Sequence, residues 1–190
     1  MPSPSRPMPP EREPRPVIEL APALTNVAWS KELVSQSLEA LFVYLAEDGA
    51  HRLRPIHAAT LRLGWPPVQQ PGDIVALSAR RYGLVPMLVH STSWRVDEAR
   101  LVLTYIVAVQ RPVTLNENLA DETVARGDLA RGDALAPPAE IGVSQVLEHA
   151  FRHLAWLVKD DEAVRAALPD WVDFLDTYAP EPFRAFGTPG

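Results

Sequence analysis

The chain of 190 residues contains no cysteine. That excludes disulfides, thiolate metal sites and a cysteine nucleophile. No apolar run approaches the roughly 20 residues that a membrane-spanning helix needs. The opening stretch, MPSPSRPMPPEREPRP, lacks the apolar segment of a secretory signal. These absences predict a cytoplasmic protein with no membrane partner. Lysine is scarce: of 18 basic residues only Lys31 and Lys159 are lysine, the rest being arginine. With abundant Ala and Pro, that bias is typical of a GC-rich bacterial coding sequence. Positive charge is short overall, 18 basic against 24 acidic side chains, for a net −6. A nucleic-acid binder carries a basic patch, so no nucleic-acid partner is expected. The deficit is uneven. Residues 1–110 hold 11 basic and 10 acidic side chains, and residues 111–190 hold 7 and 14. An acidic C-terminal surface repels phosphate backbones and anionic membranes.

Familiar catalytic signatures are missing as well. There is no G-x-S-x-G elbow, no G-x-x-x-x-G-K phosphate loop, no G-x-G-x-x-G and no calcium-loop spacing. No motif names a cofactor.

What remains is enough for one folded unit. Hydrophobic residues make up 47% of the chain, and this length buries a sizeable core. Eight of the 20 prolines fall in residues 1–22. Such density forms neither helix nor sheet ladder. The expectation is a disordered tail over 1–22 and a single α+β domain over 23–190.

Periodicity sketches the elements. In WSKELVSQSLEALFVYLAEDG, Val34, Leu38, Leu41 and Leu45 recur at helical spacing, which predicts a helix over 30–47; LEALFVYLAEDG also reads as a buried strand entering an Asp-Gly turn. One strand is expected from Ile56 to Leu63, and a helix from a cap at Asp73 through Tyr82, ended by Gly83. PMLVHSTSWRVDEARLVLTYIVAVQRP reads as a β-hairpin, with strands near 86–95 and 100–110. Its second strand is apolar on both faces, which marks an interior strand. Residues 111–140 read as a long excursion with a repeated ARGD. A long C-terminal helix follows, with Val143, Val146, Leu147, Ala150, Leu154, Leu157 and Val158 on one face. Pro169 stops it, and a short helix over 171–179 closes the pattern. The fold class is therefore α+β: a small mixed or antiparallel sheet, with the 86–110 hairpin at its centre, packed against helices.

Two clusters carry candidate chemistry. VHSTSWR places a histidine, three hydroxyls and an arginine in seven residues. Alternation puts Leu88, His90, Thr92 and Trp94 on one face and Val89, Ser91, Ser93 and Arg95 on the other. Ser–His catalysis is thereby denied its pairing. Arg95 with Ser91 and Ser93 is left as a strip for a small anionic ligand, with His90 and Tyr105 close by in the hairpin. The plain alternative is that Arg95 pairs with Asp97, Glu98 or a C-terminal carboxylate. The second cluster is EHAFRH: His149 and His153 lie one helical turn apart, the spacing of two metal ligands. Without H-E-x-x-H, two histidines at a packing boundary is the simpler account.

WPPVQQPGDIVALSARRYGLVPMLVHSTSWR followed by RLVLTYIVAV resembles the middle of a Nudix domain, over about residues 65–110. In that family a Trp and a Pro-Gly turn lead into a helix ending in a Gly-Leu pair, then a strand hairpin. Here Trp65, Pro71-Gly72, the helix to Tyr82 and Gly83-Leu84 follow in that order. The family motif also carries a glycine pair and an R-E-x-x-E-E cluster that binds magnesium. This chain has SARRYG in its place and no glutamate between Asp73 and Glu98. The resemblance thus implies a Nudix-like scaffold without the family's hydrolysis, and it transfers no catalytic residue. It also implies a strand near 30–47, where spacing predicts a helix.

Two function classes follow. The first is a non-catalytic small-molecule-binding or protein-interaction domain, degenerate Nudix-like, whose partner is an unidentified protein or small anion. The second is a hydrolase or metal-dependent enzyme with a site formed by His90, Arg95, Tyr105, His149 and His153. Neither fixes whether the chain forms an oligomer.

Overall fold

LEALFVYL has large apolar or aromatic side chains at nearly every position, which suits a strand covered on both faces better than a helix with one wet face. In the computed structural model Ser35–Ala46 is strand β1, not the helix that the spacing predicts. Leu38, Phe42 and Tyr44 enter one core and Leu41 and Val43 another, so both faces are used. The structure describes residues 35–56, 61–64, 69–97, 100–129 and 141–182. The tail expected over 1–22 lies outside the described residues.

Strand β2 (Gly49–Pro55) returns antiparallel after a turn in which Gly49 takes φ 123°, a conformation that side chains with a Cβ rarely adopt. Strand β3 (Leu61–Gly64) pairs with Ser37–Ala40, so β2 and β3 share one edge of β1 end to end. The single strand expected over Ile56–Leu63 is therefore corrected to β3, with β2 already ended at Pro55. Helix α1 (Pro71–Arg81) comes next. Pro71 opens it, and Gly83 leaves it at φ 75°. The expected cap, Asp73, sits instead in the first turn, where its charge still favours the helix dipole.

Strands β4 (Pro86–Asp97) and β5 (Arg100–Val109) form the expected hairpin. β5 runs parallel to β1 along nine residue pairs. Strand β6 (Leu119–Thr123), inside the expected excursion, pairs antiparallel with β2. The sheet is mixed and six-stranded, ordered β4-β5-β1-β2-β6 with β3 beside β1. The hairpin is therefore not central: β1 holds the middle and β4 is an edge.

The C-terminal apolar pattern divides. Helix α2 (Val143–Asp160) is followed by α3 (Glu162–Ala167), a single 3₁₀ turn (Pro169–Trp171) and α4 (Val172–Leu175). Asp161 makes the break: its carboxylate accepts from the N–H groups of Ala163 and Val164 and caps α3. Arg165 then donates to the carbonyls of Val158 and Lys159 at the end of α2. Helices cover both faces of the sheet. Ile74, Val75 and Ala79 of α1 pack on Phe42, Leu53 and Val107. On the opposite face Leu147, Phe151 and Leu154 of α2, with Trp171, pack on Leu41, Val43, Ile106 and Ala108. The class is α+β.

A clamp ties the chain after β6 to this second layer. Glu148 of α2 is buried and accepts from Arg126 at 2.8 and 3.0 Å and from Arg152 at 2.8 Å. Burial works to raise its pKa, but the two guanidinium groups win and hold it below the ordinary range. The Arg126 guanidinium lies 4.0 Å over the Tyr178 ring. Beside it, a Cβ on Gly127 would meet the backbone C and O of Ser144 at 3.0 Å. The first ARGD is thus a packing device. Gly127→Ala is expected to lower stability by about 1–3 kcal/mol through forced separation of the two segments. Urea unfolding measures this, and an unchanged midpoint would show that the segment is not held against α2.

Candidate functional site

The register of the hairpin decides where the candidate side chains point. Ser91 faces Tyr105 but Ser93 faces Thr104, so β4 carries one extra residue, Thr92, at a bulge. Thr92 is buried and its hydroxyl donates to the Thr104 carbonyl at 3.4 Å. One extra residue exchanges the faces of everything after it. Ser93 and Arg95 therefore point to the α2 side, with His90, whereas Ser91 stays on the α1 side, bonded to the Tyr105 phenol. Burial raises the Tyr105 pKa, and the bond from Ser91 opposes that rise only in part. The expected strip of Ser91, Ser93 and Arg95 is split between two faces, and Tyr105 lies across the sheet from Arg95.

Arg95 is occupied. Its Nη1 and Nη2 donate to the two carboxylate oxygens of Glu39 at 2.8 and 2.9 Å. The Thr104 hydroxyl donates to the same carboxylate at 3.0 Å and accepts from Arg95 at 3.1 Å. Glu39, on β1, is only 5% exposed. The guanidinium fork that could have held a small anion holds a buried carboxylate of its own chain. This ion pair reaches across to β1, whereas the alternation pattern alone pointed to Asp97, Glu98 or a C-terminal carboxylate. A carboxylate inside LEALFVYL is the signal that could have named it, since a charge in a strand buried on both faces needs a partner.

The helix histidines both meet the hairpin, each at a different point. His153 Nε2 lies 3.0 Å from His90 Nε2, and His149 Nε2 donates to the Thr92 carbonyl at 3.2 Å. His153 Nδ1 faces the Glu181 carbonyl at 3.4 Å. A carbonyl only accepts, so that nitrogen carries the hydrogen. The neutral His153 ring then accepts at Nε2, and His90 is the donor. Trp156 stacks on the other side of His153. Among the described residues no group of three side chains is placed to hold a metal ion. The spacing of His149 and His153 thus serves two separate contacts with β4.

Burial pushes the pKa of His90 down, against a smaller upward pull from Asp161. For His153 burial again leads, with the neighbouring rings of His90 and His149 adding to it. One added proton leaves a donor facing an acceptor. Two would set both Nε2–H bonds head-on.

A third polar group had no sequence signal. The Tyr44 hydroxyl donates to Asp121 at 2.7 Å, and His51 stacks on Tyr44 between Asp48 and Asp121. Burial and then the Asp121 carboxylate push the Tyr44 pKa up to about 12, so the phenol stays a donor at any working pH. These residues join β1, β2 and β6.

Large apolar side chains open to water occur elsewhere among the described residues. They are Ile56, Leu77, Val85, Val113 and Leu115, with Val113 fully exposed. They belong to α1, its exit into β4, the 110–118 connection and the end of β2. Hydrogen bonds join these segments: Gln110 N–H to Val85 O, Asn116 Nδ2 to Tyr82 O, and Ile56 N–H to Asn118 O. No protein-family model matches the chain, and no curated protein sequence matches it. Among the described residues no helix is long and apolar enough to cross a membrane.

Two outcomes test the geometry. The neutral histidine contact should weaken in acid. Both rings have pKa values below that of the unfolded chain, so their stability is complete above about pH 6.5 and is lost as pH falls through the folded values. The melting temperature should drop by several degrees from about pH 7.5 to about pH 5, and by less in His153→Gln; equal drops in both proteins would remove the histidines from the account. In the second test, Arg95→Ala should cost about 3 kcal/mol, because it removes the bidentate cation from the buried Glu39 carboxylate. In Glu39→Gln, Arg95→Ala should cost much less. Additive losses would deny the coupling.

Proposed function

We propose that the chain is a non-catalytic protein-interaction domain on a degenerate Nudix-like scaffold, and that it binds through the α1 side of its sheet. The observation that carries this reading is the linked set Leu77, Val85, Val113 and Leu115, apolar side chains open to water on joined segments. Exposed apolar side chains that gather on one face mark interaction surfaces, whereas single ones do not. The polar candidates favour it from the other direction. Arg95, His153 and His149 all satisfy groups of their own chain.

The Nudix-like part rests on order. A strand at 35–46, a helix at 71–81 and a hairpin over 86–109 follow the order that the resemblance implies. α1 carries Ser78, Ala79, Arg80 and Arg81 where the family has its magnesium-binding glutamates, and Asp73 is its only carboxylate. That chemistry does not hold a divalent ion.

An enzyme built from the hairpin and the helix histidines is the second reading. The 3.0 Å approach of His90 and His153 favours it. Against it, Tyr105 lies on the opposite face and Arg95 is neutralised by Glu39.

A photocrosslinking residue at Val113, in cells of the source organism, should yield adducts heavier than the chain alone. The same residue at Glu162, exposed on α3, should yield none. Equal labelling at both positions, or none at Val113, would sink the interaction reading.

A further inference from the structure

We propose that this face binds a short acidic and apolar segment of another polypeptide. The proposal rests on the interaction reading and adds the partner's chemistry. Its basis is the distribution of paired and unpaired arginines. Arg52, Arg54, Arg95, Arg126 and Arg152 each form an ion pair with a carboxylate, and Arg165 caps α2. Arg80, Arg81 and Arg111 are exposed and form no ion pair with any described carboxylate. The chain as a whole is acidic, with 24 acidic and 18 basic side chains.

All three lie on the segments that carry the apolar set. Arg80 and Arg81 follow Leu77 by three and four positions on α1, so they share its exposed face. Arg111 opens the 110–118 connection, two residues before Val113, and Gln110 beside it bonds to Val85. Asp73 stands at the far end of α1, seven residues or about 10 Å from Arg80. Arg111 is felt electrostatically at Asp48 and Tyr44 without pairing to either. Two of the arginines lie in the last turn of α1, where they also favour the helix dipole. That accounts for about 0.3–1 kcal/mol each and leaves their forks open to water.

The combination selects one kind of occupant. Apolar side chains of a partner would cover Leu77, Val85, Val113 and Leu115. Carboxylates beside them would meet the three guanidinium groups, whose planar forks suit carboxylate oxygens. Three cations on a chain of net −6 are too few for a nucleic-acid backbone or an anionic membrane. Opposite charge would set the choice of partner and the rate of encounter more than the final affinity.

The test pans a displayed library of random dodecapeptides against the full chain and measures synthetic binders by fluorescence anisotropy. Enriched peptides should carry both carboxylates and large apolar residues. Their affinity should fall several-fold between about 50 and about 300 mM NaCl. It should fall about tenfold in Arg80→Glu/Arg81→Glu, and be lost in Val113→Asp. Circular dichroism would establish that these surface variants remain folded. Binders of neutral or positive charge, or insensitivity to the arginine reversal, would overturn the acidic partner and leave the interaction reading standing. No binders sensitive to Val113→Asp would overturn both. A concentration-dependent dimer abolished by Val113→Asp would assign the face to a second copy and overturn the proposal.

Discussion

Strand β1 is hydrogen-bonded along both edges and buried on both faces, and the rest of the molecule is arranged around those demands. One edge is met by β5 in parallel along nine residue pairs. The other is too long for β2 alone, so β3 completes it. A parallel neighbour cannot follow through a tight turn. Between β1 and β5 the chain therefore spends β2, β3, α1 and β4, and that route lays α1 on one face. The opposite face, with Leu41 and Val43 facing out of the sheet, would stay wet without the C-terminal helices. Two faces of one strand thus account for helices on both sides.

Burial of β1 also explains where the polar groups went. Glu39 sits within the apolar run, only 5% exposed. An unpaired carboxylate there would be costly, and the bulge at Thr92 is what brings Arg95 to it. Without the residue inserted there Arg95 would point to the α1 side and Glu39 would lose its two bonds to the guanidinium. The same bulge leaves the Thr92 carbonyl at the edge of the sheet, where His149 takes it. β4 would otherwise offer an open edge to another strand. A bulge, a starting proline and a helix histidine are devices that blunt such an edge.

Much of the architecture was legible, and the failures share a cause. The hairpin, α1 and the long C-terminal helix show unmistakable patterns, and β5 reads as interior because Leu103 to Val109 is apolar on both faces. Residues 35–46 misled because Leu38, Leu41 and Leu45 satisfy a helical spacing by chance when nearly every position is apolar. β6 was invisible: Leu119–Thr123 is mostly polar, since an edge strand covered on one side needs little hydrophobicity. Within the site, His90, Arg95, His149 and His153 stood out by residue type and spacing, and the structure shows the contacts that each makes within its own chain. Which residues they would meet did not stand out, because Glu39 is 56 residues from Arg95 and His90 is 63 from His153. Alternation alone cannot register a bulge, so it assigned Ser91 and Arg95 to one face.

Among the described residues the two sides of the sheet carry unequal numbers of helices, and that imbalance accounts for apolar side chains at the surface of the α1 side. Five strands abreast at about 4.8 Å spacing span about 20 Å, whereas one helix is about 10 Å across. On the α2 side, α2, α3, the 3₁₀ turn and α4 together suffice, and Trp171, Leu168 and Leu175 are almost wholly buried. On the other side α1 is the only helix among the described residues, and it has 11 residues. The 110–118 connection lies beside it, bonded to Tyr82 and Val85. That connection has Pro112 and no regular structure, so it turns Val113 and Leu115 outward instead of burying them. A thin layer of this kind leaves apolar groups exposed wherever nothing else lies over it. Here the segments with exposed groups also carry three arginines that pair with no described carboxylate. The α1 dipole gives a reason for Arg80 and Arg81 in its last turn but none for Arg111, which the proposed acidic partner would account for.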